Sequence, residues 1–516
     1  MVAVNGSRRA PLAVMPTPLT LPRDCDVLVV GSGAGGATFA YACARAGKSV
    51  ILVERGRTTA PPSQDEWSTL IDKAPYDDRP VEVNGALKRL YMGGVPGGGT
   101  AVFGGALLRP SRDDFHPGRH YGHRLGREVW DWPIGYDDLE PHYAEAEQLL
   151  GVAGGADEDY GPLPRPAAYP HAPLPLYPVN GRLMTAARRR GLKPFRLPLA
   201  IDPTRCLRCG ACAGYVCPTG ARGSTLHLLD RAAAAGFRLR VLTGVEVEAL
   251  VRDGGGRVAG VRLRDRATGQ ATIVHARRYA LAAGAVHSPA LLLRSGITGE
   301  HVGRNYMPHL SPITVGLFPT PTEAEDAFVK QVGFTDFYFG TRNAPHKMGL
   351  VSSLPVPGPY LTAKMTPRFL PHRFIHFLRR RMLPLAGIVE DLPDPTNRVT
   401  LGPDGRPQLR HRFGKYDRYR GKHLGREMAR ILKQAGAVVA VRKKFASDEH
   451  VAHQCGTLRF GTDPAHAVLD RDCRVFGHPN VFVVDGSFMP TSLGVGPALT
   501  IMANALRVAG VAAAEL

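Results

Sequence analysis

The apolar run Asp26-Val-Leu-Val-Val30 closes on the hexapeptide Gly31-Ser-Gly33-Ala34-Gly-Gly36. Small and apolar residues follow at helical spacing from Ala37 to Gly47, and a second apolar run, Ser49-Val-Ile-Leu-Val53, ends on Glu54. An uninterrupted apolar stretch of this length is what a parallel strand covered on both faces requires. Strand, glycine turn, helix and strand in this order form the dinucleotide-binding unit, and each part has a physical task. Gly31 permits the tight turn, Gly33 lets the main chain approach a pyrophosphate, and Gly36 lets the helix lie close on its strand. The helix N-terminus offers unpaired amide hydrogens and a partial positive charge to the phosphates. Glu54 stands where a carboxylate accepts hydrogen bonds from both ribose hydroxyls. Gly31, Gly33, Ala34, Gly36, Glu54 and Arg55 are therefore the first candidate cofactor contacts. The unit alone does not separate NAD from FAD. Its position near the start, with the rest of the sheet supplied from far downstream, favours a flavoprotein.

Composition narrows the setting. The chain has 516 residues and an apolar fraction of 44%, enough for two domains of ordinary size. No run of eighteen apolar residues occurs, so no membrane-spanning helix is expected. Residues 1–22 lack a continuous apolar segment and read as a flexible arm on a cytoplasmic protein. Lysine and arginine number 65 against 45 acids, a formal charge of +20, but they are scattered arginines without interleaved aromatics. Nucleic acid is accordingly not an expected partner. The stretch from Arg368 to Pro384 is basic and amphipathic; a helix packed on its own domain, a lid and an anionic membrane surface are its three readings.

Further along, several segments resemble the glucose-methanol-choline family of FAD-dependent oxidoreductases, and the resemblance covers nearly the whole chain. Gly97-Gly98-Gly99-Thr100-Ala-Val-Phe-Gly104-Gly105-Ala106, followed by Arg109 and the Asp113-Asp-Phe115 turn, is similar to the family's loop that passes close to the flavin. In relatives with covalently attached flavin a histidine occurs in this loop; Val102 stands there here, which implies noncovalent FAD. Trp132 to Tyr143 resembles a family helix entry, with Asp137 as cap. Leu281-Ala-Ala283-Gly284-Ala-Val-His-Ser288-Pro289 matches the second family signature, although Thr298 replaces its closing glycine. Gly244 to Val251, including Val247, looks like the strand whose backbone lies against the adenine. Asp485-Gly486 and Pro497-Ala498-Leu499, which opens the last helix, match the family's contacts to the ribityl, pyrophosphate and pyrimidine parts of the flavin.

The resemblance implies an α/β fold: an FAD-binding Rossmann-like domain with a discontinuous α+β substrate domain containing an antiparallel sheet. The expected division is 23–155, 220–310 and 446–516 for the FAD-binding domain, 156–219 for a substrate-side insertion with a Cys-rich loop, and 311–445 for the substrate domain. Within the last, Gly387 to Glu390 and Asn397 to Leu401 read as strands joined by the proline-rich turn Asp391 to Pro395. The expected activity is oxidation of a substrate alcohol, a sugar, polyol or natural-product hydroxyl, to a carbonyl by hydride transfer to the flavin. Such a step also needs a base for the hydroxyl proton. By resemblance that base is His453. The family usually sets an asparagine or second histidine beside it, but here the matching position is Gly496. Three explanations stand open: a substrate group or water fills the gap, a residue from the substrate domain reaches in, or the chemistry is altered and non-oxidative.

Cys206, Cys209, Cys212 and Cys217 have intervals of two, two and four residues, close to a ferredoxin run that uses three before its final cysteine. An iron-sulfur cluster, zinc, and a structural loop of disulfides or free thiols are the alternatives. A cluster would make the protein a dehydrogenase, the expected form, with the electron acceptor open between oxygen, a quinone and a redox protein.

Overall fold

The computed structural model describes residues 24–57, 65–155, 167–325, 327–364, 366–367, 369–443 and 453–516; the expected N-terminal arm lies outside them. The first unit forms as its pattern demands: strand β1 (Asp24–Val30), helix α1 (Ala34–Arg45) and strand β2 (Val50–Glu54), with every residue of β2 buried. Val27 to Val30 pair in parallel with Val50 to Val53 on one side and with Arg278 to Leu281 on the other. The sheet continues through parallel strands Leu239–Thr243 beyond β2 and His478–Val483 beyond Ala271–Leu281. An antiparallel pair, Val245–Arg252 and Val258–Asp265, folds onto the outer part of Ala271–Leu281. Burial on both faces is why these core strands lack alternation. The sheet is thus completed from far downstream, as the position of the glycine turn suggests.

Two glycines explain how tightly helix and sheet meet. A Cβ at Gly36 would stand 1.9 Å from the Gly31 carbonyl oxygen, and one at Gly35 would stand 1.6 Å from that of Val484. The helix can therefore approach both the turn and the end of strand His478–Val483 only without side chains there. The C-terminal helix Ala498–Ala514 packs beside α1, with Leu499 to Leu506 buried.

A second, six-stranded antiparallel sheet orders Val439–Arg442, Ile313–Leu317, Met382–Gly387, Val351–Ser353, Val332–Phe334 and Phe195–Arg196. Helix Lys415–Gln434 lies on it, burying Leu424, Met428, Ile431 and Leu432. Its own apolar core is separate from that of the parallel sheet.

Three local readings are corrected. The strands near Gly387 and Asn397 do not pair with each other. Met382–Gly387 belongs to the six-stranded sheet, while Arg398–Leu401 forms a hairpin with Pro407–Arg410 in a third sheet with Val81–Val83 and Ala86–Lys88. The Pro403-Asp404-Gly405 turn supplies the nearer partner, with Gly405 in the left-handed region. Helix Tyr136–Leu150 is capped by Asp138, whose carboxylate accepts from the Gly135 amide at 2.7 Å. Asp137 instead pairs with Arg112 at 2.6 Å in solvent. Of the basic amphipathic stretch, only His372–Arg379 is helix, and Met382 onward is drawn into the sheet as a strand; Arg368 is outside the described residues. Phe369, Phe374 and Phe377 stay exposed. Among the described residues no helix is long and apolar enough to cross a membrane.

Candidate active site

The glycine turn presents an open cradle. Gly33 caps α1 with no side-chain hydrogen bond, and the first turn of that helix carries no acid. A Cβ built at Gly33, Gly99 or Gly284 would meet nothing within 4 Å. Each of these turns therefore leaves its main chain open to close approach, as a pyrophosphate bound by main chain requires. Behind the cradle a hydrogen-bonded frame holds it. The Glu54 carboxylate accepts from the Ser32 amide at 2.9 Å, the Ser32 hydroxyl at 2.6 Å and the Gly56 amide at 2.6 Å. Burial raises the Glu54 carboxyl above its ordinary range, against these bonds. The Gly97 amide donates to Ser32 Oγ at 2.9 Å, and Thr225 Oγ1 donates to Ser32 O at 3.1 Å and lies 2.9 Å from Thr100 Oγ1. Gly98 would touch Gly33 if it carried a side chain, its Cβ reaching 2.9 Å from Gly33 Cα. Ser32 and Thr225 escaped the sequence reading because hydroxyls bonding to main chain carry no recognisable pattern.

The other expected cofactor residues fall into two groups. Asp485 accepts from the Gly284 amide at 2.8 Å, from the Ser288 hydroxyl, and from the Ser487 amide at 2.9 Å, which joins Ala283, Gly284, Asp485 and Gly486 in one turn cluster. Burial raises the Asp485 carboxyl despite those donors. Pro497 caps the C-terminal helix, followed by Ala498 and Leu499, again without a side-chain cap or an acid in the first turn. Arg55, by contrast, is held in ion pairs with Asp78 at 2.6 Å and Glu246 at 3.2 Å, beside the strand containing Val247. Arg109 is a structural residue that forks onto Glu147 at 3.0 and 2.8 Å.

His453 lies 144 residues beyond His309, yet the two Nδ1 atoms are 2.8 Å apart. Their approach follows from an antiparallel bridge in which Met307 and Cys455 exchange amide hydrogen bonds of 3.0 and 2.9 Å. Sequence reasoning missed His309, since nothing local distinguishes it among nineteen histidines.

The bonding pattern assigns the tautomers. His309 Nε2 is 2.9 Å from both the Ser492 and Leu493 carbonyl oxygens, so it carries the hydrogen and donates. Burial lowers the His309 pKa to about 4. The neutral ring then has its lone pair on Nδ1 and accepts from His453 Nδ1–H. His453 is left with its Nε2 lone pair free. That nitrogen points at Gly496, where a Cβ would stand 3.6 Å from it. Burial, with His309 and the Lys330 charge, holds the His453 pKa well below its ordinary value. The imidazole is thus neutral at pH 7 and competent as a base. Both His453 (φ 64°) and Leu493 (φ 64°) occupy the left-handed region, so backbone strain concentrates at this site.

A buried ion network carries the loop. Lys347 Nζ lies 2.6 Å from Asp114 and 2.5 Å from Glu390, and all three side chains are fully buried. Glu390 accepts from the Leu493 amide at 3.1 Å, and Tyr338 OH accepts from the Gly494 amide at 3.1 Å while donating to Asp114 at 2.6 Å. The backbone that fixes His309 is thereby bolted to the substrate domain.

Among the described residues no three His, Cys, Asp or Glu side chains converge as metal ligands, and the cysteines are free thiols. Cys209 is exposed while Cys212 is buried, with its thiol pushed up to about 12 by burial. The iron-sulfur and zinc readings of the Cys-rich loop therefore find no support in its arrangement. Its extra residue before Cys217 and the Arg222 guanidinium, which donates to the Cys212 and Tyr215 carbonyls, fold the loop around hydrogen bonds instead.

A main-chain phosphate cradle at the end of a parallel sheet, a second, antiparallel sheet with its own core, and a neutral imidazole beside Gly496 define a two-domain α/β FAD-binding oxidoreductase. The family description GMC oxidoreductase matches residues 25–311 in its N-terminal part and 393–505 in its C-terminal part, and the chain belongs to that family. It is 35% identical to 6'''-hydroxyparomomycin C oxidase of Streptomyces lividus, over 97% of this chain and 93% of that protein. Identity to paromamine 6'-oxidase of Streptomyces fradiae is 32%, over 95% and 92% respectively. Among solved structures, pyridoxine 4-oxidase from Mesorbium loti aligns with a TM-score of 0.68 at 20% identity, over 94% of this chain and 99% of that one.

Proposed function

We propose that this protein oxidises a hydroxyl group of a sugar-like or aminoglycoside-like molecule to a carbonyl, with noncovalently bound FAD. FAD, when bound, supplies the acceptor for the hydride that leaves the carbinol carbon. Gly31, Gly33, Ala34, Gly36 and Gly98 to Thr100 would hold its pyrophosphate side. Gly284, Asp485, Gly486 and the start of the C-terminal helix would hold the rest. Val102 in the glycine-rich loop supports noncovalent attachment.

The chain's own chemistry is proton transfer. His453 Nε2 takes the hydroxyl proton as the carbinol hydrogen departs, and His309 keeps that nitrogen unprotonated beforehand by accepting from the other one. The observation that carries this reading is the free Nε2 of His453 aimed at the empty side of Gly496. Two relatives named for aminoglycoside oxidation, each aligned over more than nine tenths of its length, support the substrate class.

Anaerobic mixing of the purified protein with paromamine, glucose, sterols and polyols tests it. Bleaching of the flavin absorbance by a hydroxylated compound, slowed at least a hundredfold in His453→Ala, is the expected result. Persistent yellow colour across the panel refutes oxidation and favours a non-oxidative flavin enzyme. Protein that binds no flavin favours the NAD reading. Oxygen uptake measured against reduction of a quinone then identifies the electron acceptor.

A further inference from the structure

Gly496 leaves the base without the polar neighbour that would share the developing negative charge, and the substrate domain offers one. Lys330 lies two residues before strand Val332–Phe334, and its side chain runs to the glycine-rich loop. Its Nζ lies 3.2 Å, and its Cδ 3.3 Å, from the place a Cβ would occupy on Gly104. It is close enough to His453 to disfavour that imidazole's protonation. The backbone on either side is clamped: Val329 O accepts from Ser353 Oγ at 2.6 Å and Asn180 Nδ2 at 2.9 Å, and the Gln331 amide donates to Ser353 Oγ at 3.0 Å.

Among the described residues no carboxylate pairs with Lys330, whereas the fully buried Lys347 has two. The titratable groups on the far side of Lys330 are His453 and, behind it, His309. Neither is an anion. Burial alone lowers the Lys330 pKa to about 8, so the ammonium is mostly charged at neutral pH, and among the described residues it has no counter-ion. A cation held in a cleft without an anion is a binding site for one.

We propose that Lys330 is the second polar group of the reaction site: its ammonium binds the substrate oxygen opposite His453 and holds the negative charge that develops there. This rests on the alcohol-oxidation reading above. The ligand class it selects is a hydroxyl or small oxyanion with no cationic group on the carbon next to the reacting one, because an ammonium there would face Lys330 at close range. The oxygen loses its proton to His453, not to Lys330, which stays protonated and acts only as a charge.

The test uses sulfite, a small oxyanion that bleaches flavin, as probe on the holoprotein. Flavin absorbance is titrated with sodium sulfite from pH 6.5 to 9.5 in wild type, Lys330→Met and Lys330→Arg. Comparing variants at each pH cancels the protonation of sulfite itself. The expected result is sulfite affinity at least tenfold weaker in Lys330→Met below pH 8, the difference closing above it. Lys330→Arg should match wild type below pH 8 and hold that affinity above it, where wild type weakens. Equal affinities in wild type and Lys330→Met at pH 7 would overturn the proposal. Should Lys330→Met not fold, the Lys330→Arg comparison still decides, since wild type must lose affinity relative to it above pH 8. Failure of the alcohol reading is separate: no alcohol bleaches the flavin, yet the sulfite comparison stands or falls unaffected.

Discussion

Replacing His309 should impair catalysis through His453 without touching the substrate. In His309→Phe the His453 Nδ1–H loses its acceptor, 2.8 Å away, and the Ser492 and Leu493 carbonyls lose their donor. A buried hydrogen bond contributes about 1–1.5 kcal/mol net, and each 1.4 kcal/mol is about tenfold in population, so the reactive tautomer loses roughly a tenfold preference. Freed ring rotation adds to this, and in a serine-protease triad the loss of tautomer control drops kcat by about 10⁴, an upper bound. We therefore expect flavin reduction slowed about ten- to a hundredfold with KM little changed. Stability should fall by about 1–3 kcal/mol from the unpartnered carbonyls. His309→Gln, with one acceptor and one donor, should recover most of the rate.

The acid limb adds a second readout of the same buried ring. The unfolded His309 titrates near 6.5 and the folded one near 4, so between these values the unfolded state binds the extra proton. Stability is then intact above pH 6.5 and falls as pH drops towards 4, by up to roughly 3 kcal/mol from this group at 1.4 kcal/mol per unit. His309→Gln should show a shallower loss of melting temperature between pH 7 and 5. Stopped-flow bleaching and thermal melts read both effects. A His309→Phe protein that reduces flavin at the wild-type rate would refute the tautomer argument.

Three further outcomes follow from the geometry. Gly33→Ala meets open space, so it should melt like wild type while FAD affinity, followed by flavin fluorescence, weakens at least tenfold; Gly36→Ala, whose Cβ would lie 1.9 Å from Gly31 O, should lose the fold itself. Gly496→Ala sets a methyl 3.6 Å from His453 Nε2, ordinary contact distance, so folding should persist while the rate of flavin reduction falls at least tenfold through crowding of the reacting oxygen. Lys347→Met leaves Asp114 and Glu390 buried without their cation and should destabilise by about 3–5 kcal/mol in a denaturant melt.

The parts of this molecule that could be read from sequence are those where backbone geometry leaves one choice of residue. The glycines at 31, 33 and 36, the Asp485-Gly486 turn and the proline before the last helix are such positions, each recognisable from its immediate neighbours in sequence. His309 and Lys330 were out of reach for the opposite reason. Each becomes functional only through a long-range pairing, Met307 with Cys455 in one case and the approach of the 330 segment to Gly104 in the other. Cap assignment failed by one residue at Asp137 because adjacent aspartates differ only in which reaches back to the Gly135 amide. The strand at Asn397 was correctly seen but given the wrong partner, since a local hairpin with Pro407–Arg410 outcompeted a pairing across prolines.

A crystal structure of the FAD-loaded protein would bear most directly on the central claim that the glycine cradle and His453 serve one flavin. The account predicts the pyrophosphate at the amides opening α1 and the ring between Gly104 and His453 Nε2, with room for one oxygen between that nitrogen, Lys330 and the ring. A flavin ring lodged away from His453, or a pyrophosphate bound elsewhere than the Gly31–Gly36 turn, would contradict it.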